Sequence, residues 1–308
     1  MSGIEEMKTI YDDITIPKEL DSMVKNAIKR GRITMKNKKR NSGYFKIFGS
    51  IAAALLIFAF ALNTSPAFAN SVKQLPGGDT IVRLLTFVGD TAVGGEITDG
   101  QDIKDIGVEK QEDYETLTVE LYQGMEAAAI AGHFTITHKT HPHSIEVGLA
   151  GVRAFSAAED FPDLSDMKLF DNIYRLVTLD DSAHRFVVTF KKPVVVEVSE
   201  QENPARMIIT VREDKDAEPL VPMYSLRTVS MPFGESVGVA ENILKFELGS
   251  ANARLVQDAT DLYFAEEGLY PTLAEAEARL AELKQYEHFT FEMHIEKREP
   301  GTVPGSIE

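Results

Sequence analysis

The 308-residue chain has no cysteine and no tryptophan. The first absence excludes disulfide staples, thiolate-bound zinc and a cysteine nucleophile together; the second removes the largest aromatic stacking surface. Basic residues are also scarce, 32 Lys and Arg against 48 Asp and Glu, for a formal charge of -16. That scarcity is uneven. Residues 1–46 hold 11 basic and 6 acidic side chains, so this arm is +5, and the remainder is -21. A body this acidic cannot neutralise a phosphate backbone, so nucleic acid is not expected as a partner. What is present is an ordinary globular mixture, 44% hydrophobic with 21 Gly and 13 Pro, which excludes collagen-like and wholly disordered readings.

Charge vanishes altogether between Ile47 and Val72, and Ile47 to Leu62 is almost continuously apolar. Sixteen helical residues rise about 24 Å, and the flanking Tyr44, Phe45 and residues 63–69 extend the run toward the roughly 30 Å hydrocarbon core. The expectation is a transmembrane helix over residues 46–69. Lys36, Lys38, Lys39, Arg40 and Lys46 precede it, which by the positive-inside rule puts residues 1–45 in the cytoplasm and the bulk of the chain outside. A cleaved leader is the alternative, because Ala67 and Ala69 flank Phe68 as a small-x-small cleavage site.

Within the arm, Leu20, Met23, Val24, Ala27 and Ile28 recur at three- and four-residue spacing between Pro17 and Gly31, an amphipathic helix. Its apolar stripe fits a cytosolic protein partner. Lys25, Lys29, Arg30 and Arg32 equally fit a helix lying on anionic lipid.

The order IPKELDSMVKNAIKRG, basic linker, apolar run and TSPAFANSVKQLPGGDTIVRLLTF resembles the membrane-bound anti-sigma factors of Gram-positive bacteria, of the anti-sigma-V type and the related DUF4179 proteins, over about residues 8–90. The resemblance implies that Leu20, Met23, Val24 and Ile28 hold an extracytoplasmic-function sigma factor inactive until an envelope signal arrives. It departs from other anti-sigma factors in lacking the Cys and His of their zinc-binding helical domain.

Residues 70–113 are expected to form a second short apolar helix (Ile81, Val82, Leu84, Leu85, Phe87, Val88) and an acidic, Gly-rich connector with short strands at most. Over 114–215 the period becomes that of strands: 117–121, 134–137, 145–149, 186–190, 194–198 and 207–211 alternate or run apolar between turn clusters. An extracytoplasmic β-rich, sandwich-like domain follows. RFVVTFKKPVVVEVSEQENPARMIITV also resembles the AMIN-type β-domain of bacterial envelope proteins.

Residues 222–298 read as strand, helix, strand, strand, helix, strand, with Thr272 and Glu275 forming a capping box before the second helix. This βαββαβ order is a ferredoxin-like layout. Tyr224 to Met231 and Gly268 to Ala276 give it a resemblance to the SPOR domain, which implies peptidoglycan recognition on an open sheet face by Ser225, Arg227, Phe264 and Glu266. Helix-covered docking is the alternative use of such a sheet. Residues 299–308 are expected to be a disordered tail.

His133, His138, His141 and His143 crowd into eleven residues and are the candidate metal ligands. Their spacing suits such a site poorly, since His133 and His138 fall on opposite faces of a strand, so a His-rich hairpin or a pH-sensing turn competes with it. Asp180, Ser182 and His184 are too close in sequence to assemble a triad, and no phosphate-binding glycine loop or zinc-protease helix is present. No catalysis and no cofactor are expected. The expected fold class is α+β and multidomain, and the expected function is a single-pass membrane regulator; an exported or anchored wall-binding protein is the runner-up.

Overall fold

The computed structural model of the protein describes residues 82–286, 289 and 291–308. This region is mostly β-sheet with few helices. Among the described residues, no helix is long and apolar enough to cross a membrane; the apolar run and the basic arm lie outside them.

The first module is built from twelve strands: β1 (Val82–Leu85), β2 (Thr91–Gly94), β3 (Gln101–Lys110), β4 (Glu115–Gln123), β5 (Glu126–Ala127), β6 (Phe134–Lys139), β7 (Ser144–Ala150), β8 (Val152–Ala154), β9 (Phe170–Leu176), β10 (Ala183–Phe190), β11 (Val194–Gln201) and β12 (Arg206–Glu213). One sheet runs β1-β11-β12-β4-β3-β8 with β5 beside β4, and the other runs β2-β6-β7-β10-β9. Their facing sides share one core. Alternation puts Leu117, Val119 and Leu121 of β4, Ile145, Val147 and Leu149 of β7, and Met207, Ile209 and Val211 of β12 into it. Each such side chain, once buried, contributes roughly 1.5–3 kcal/mol of transfer free energy.

Two expectations fail at the start of this module. The segment expected as an apolar helix supplies β1, paired antiparallel with β11 from Val82 opposite Gln201 to Leu85 opposite Val198. Its leucines satisfy either period when read alone, and pairing with β11 decides for strand. The stretch expected as connector with short strands at most supplies the four-residue β2, within that expectation, and the ten-residue β3, beyond it. In β3 the register slips between Ile103 and Asp105, so buried Ile103 and Ile106 stand three residues apart and the alternation is masked.

The second module contains β13 (Met223–Thr228), α1 (Glu235–Asn242), a π-helical turn (Ile243–Glu247), β14 (Arg254–Gln257), β15 (Tyr263–Tyr270), α2 (Leu273–Leu283) and β16 (Met293–Arg298). Its sheet order is β14-β15-β13-β16. Thr272 caps α2 by accepting from the Glu275 N–H at 3.3 Å while the Glu275 carboxylate accepts from the Thr272 N–H at 3.1 Å. The helices bury Val237, Ala240, Leu244 and Leu283 against Leu226, Leu255 and Ala265 of the sheet.

That second core does not end at the module boundary. Tyr174, Leu176 and Val187, from the outer face of β9 and β10, belong to it. The approach is close enough to need a glycine. A Cβ on Gly238 of α1 would stand 2.9 Å from Val177 Cγ1. The tail also differs from expectation: the N–H of Ser230 donates to the Ile307 carbonyl at 2.7 Å and that of Ala259 to the Pro304 carbonyl at 2.9 Å. Residues 304–307 therefore lie along the second module, held by backbone bonds.

Candidate functional site

Strand alternation sends Leu226 and Ala265 toward the helices and Ser225, Arg227, Phe264 and Glu266 to the other face, as expected. That face is closed. All four side chains are buried, with Arg227 and Phe264 at 0% exposure, so an open sugar-binding face over Ser225, Arg227, Phe264 and Glu266 is excluded. Two segments cover it, the C-terminal tail and the turn joining β6 to β7.

Beneath this cover lies a charge cluster. Cross-strand register places Glu266 opposite Arg254 on one side and Arg227 on the other. Glu266 Oε1 accepts from Arg254 Nη2 at 3.0 Å, and Arg298 Nη1 stands 3.7 Å from Oε2. Glu296 Oε2 accepts from Arg227 Nη1 and from Arg298 Nη2, both at 2.9 Å. The Arg227 guanidinium carbon lies 3.3 Å from the centre of the Phe264 ring, a stacked cation–π contact. Arg227 Nη1 also donates to the Gly305 carbonyl, which ties the tail down. Burial pulls the Arg227 guanidinium below its usual range, and Glu296 opposes that pull.

The first module enters this cluster through one backbone atom. The His141 carbonyl accepts from Arg254 Nη2 at 2.8 Å and from Arg298 Nη1 at 3.1 Å. His141 sits at φ 55°, in the left-handed region, and its buried ring bonds the Val221 carbonyl at 2.8 Å. Aiming that carbonyl at two guanidiniums is what the unusual backbone angle accomplishes. A second ion cluster bridges the modules nearby: Arg185 of β10 pairs with Glu146 of β7 and with buried Glu241 of α1, which Lys245 also contacts. Burial would raise the Glu241 pKa, but Arg185 and Lys245 outweigh it and hold the carboxyl below the usual range.

The histidines are corrected in the same place. His138, His141 and His143 gather around the β6–β7 turn, whereas exposed His133 precedes β6 and is about 17 Å of extended strand from His138. Among the described residues no three His, Cys, Asp or Glu side chains form a set able to hold a metal ion. The described structure therefore does not bring His133, His138, His141 and His143 together as one set of metal ligands. Burial holds His138 and His143 below the usual 6.5, with Asp90 opposing this at His138 and the neighbouring imidazoles adding to it at His143.

Asp180 and Ser182 form a turn, with the Ser182 hydroxyl and N–H both donating to Asp180 Oδ1 at 2.7 and 2.8 Å, while the His184 ring packs edge-on against Phe155. A cleft of about 270 Å³ lies at the joint, and one of about 320 Å³ lies within the first module; they share Asp171, Asn172 and Lys191. Leu20, Met23, Val24, Ile28, Ala67 and Ala69 lie outside the described residues. Arg254, Arg298, Glu296 and the His141 carbonyl carry the joint and were not picked out from sequence; the signal for them is the register opposing Arg254 to Glu266, which exists only once strands are paired.

Comparison with family models, with curated proteins and with solved structures gives no match.

Proposed function

We infer that the chain is a single-pass membrane regulator of the anti-sigma kind, with a cytosolic arm that sequesters an extracytoplasmic-function sigma factor and an acidic outer body that reads the state of the envelope. One observation carries this reading: a +5 arm and a -21 body stand on either side of a 26-residue stretch without charge. The body supports it. Its first strand begins ten residues beyond that stretch and is hydrogen-bonded into the larger sheet, so displacement of the body is transmitted to the chain entering the membrane. The module over 223–298 is best read as ferredoxin-like, because its strand order and two helices on one face are those of that layout; its likeness to SPOR is one of layout, not of sugar face. Likewise the AMIN likeness of the sandwich is one of paired strands.

The test is to express residues 1–46 with candidate alternative sigma factors and assay co-purification, alongside deletion of the full gene. Retention of one sigma factor, lost on Leu20→Asp and Ile28→Asp, is expected, together with derepression of its promoters in the deletion strain. No retained sigma factor and no promoter response would overturn the reading.

A further inference from the structure

We propose that the second module carries a docking groove for a cationic amphipathic helix of a protein partner. The groove is about 410 Å³ and lies between α1 and the strand-end segments around Met231 and Phe291. Its floor is apolar, from Met231, Val239, Ile243 and Phe291, and its rim carries Glu235 and Glu292, with no Lys or Arg lining it among the described residues. The Glu292 side chain is 75% exposed.

The apolar surface continues past the groove. Val239, 38% exposed, and Phe246, 78% exposed, lie on the outer side of α1 and its π-helical turn, with half-buried Ile243 between them in sequence. A ridge of that length, about 10 Å, matches two turns of a docked helix with its i, i+3/i+4 anchors. Charge selects the partner. Residues 222–308 hold 15 acidic and 7 basic side chains, so the same module of a second copy is repelled and a basic helix is drawn in. The inference rests on described residues alone and stands whether or not the arm binds a sigma factor.

The test is photo-crosslinking from Phe246→p-benzoylphenylalanine in the full-length chain, held in nanodiscs of zwitterionic lipid. The probe is a biotinylated 18-residue Leu/Lys amphipathic peptide, compared with the same peptide carrying Glu for Lys. The expected result is a saturable cross-link to the Lys peptide, at least tenfold weaker with the Glu peptide and reduced three- to tenfold by Glu235→Gln with Glu292→Gln. Met125→p-benzoylphenylalanine, at a still more exposed apolar position on the first module, should give none. Equal yields with both peptides, equal yields from positions 246 and 125, or indifference to the two Gln substitutions would each overturn the proposal. The Gln substitutions alter exposed rim groups only, so folding is not at issue.

Discussion

Replacing Glu266 by Gln tests the joint directly. Glu266 is 1% exposed, it holds Arg254 by three hydrogen bonds, and Arg298 is close by. The substitution keeps the shape and one acceptor but leaves three buried guanidiniums, with Glu296 bonded to Arg227 and Arg298 and the His141 carbonyl to Arg254 and Arg298. Breaking a buried pair from one side costs about 3–5 kcal/mol, and the retained acceptor puts this change near 3. In a body of about 150–250 residues that lowers the melting temperature by roughly 6–12 °C. Thermal melts of the full-length chain followed by far-UV circular dichroism would show it, with tyrosine fluorescence as a second probe because tryptophan is absent. Combining Glu266→Leu with Arg254→Met removes both charges and should recover most of the loss. A Glu266→Gln variant within about 1 kcal/mol of the parent, or a double variant no better than the single, would show that the cluster does not hold the modules together.

Other expectations follow from the same structure. Glu115 is buried and accepts the backbone N–H groups of Lys168, Leu169 and Phe170, so Glu115→Ala should cost about 2–4 kcal/mol and speed amide exchange at those three residues first; unchanged exchange there would refute it. A Cβ on Gly151, which sits at φ 73°, would lie 2.0 Å from the Thr98 carbonyl oxygen, and Gly151→Ala should melt well below the parent or fail to accumulate as soluble protein. For pH, the folded state holds His138 and His143 below 6.5 while the unfolded chain protonates them near that value, so stability is complete above pH 6.5 and falls as the pH drops from there toward the lowered folded values. Denaturant midpoints at pH 7.5 and 5.5 should differ in the parent and draw closer in a His138→Gln, His143→Gln variant, with His184, also lowered by burial, keeping part of the difference. Glu241 adds a further loss below about pH 4.5 by the same sign.

Much of the fold is legible in the sequence where one period dominates. The runs around Leu117, Ile136, Val147, Val188, Val196 and Ile209 all lie in strands, and the Thr272–Glu275 box starts a helix where expected. Legibility fails where tertiary pairing overrides local pattern, as at β1, or where a bulge breaks the alternation, as at Ile103. The candidate site shows the same division. Alternation correctly sets Ser225, Arg227, Phe264 and Glu266 on one face, but it is silent on what covers that face, because the covering groups are a carbonyl in a distant turn and the last residues of the chain. The histidines mislead for a related reason: composition marks the turn as unusual, while the atom that matters there is the backbone oxygen of His141.

The bonds of the His141 carbonyl to Arg254 and Arg298 span 113 and 157 residues of sequence. No such contact can form until residues 254 and 298 have left the ribosome, and meanwhile Tyr174, Leu176 and Val187 on the finished sandwich have nothing to rest against. Biogenesis thus has an interval in which a half-made molecule displays a sticky flank, and truncated forms ending before residue 254 should be bound by holdase chaperones or aggregate rather than persist as a free sandwich.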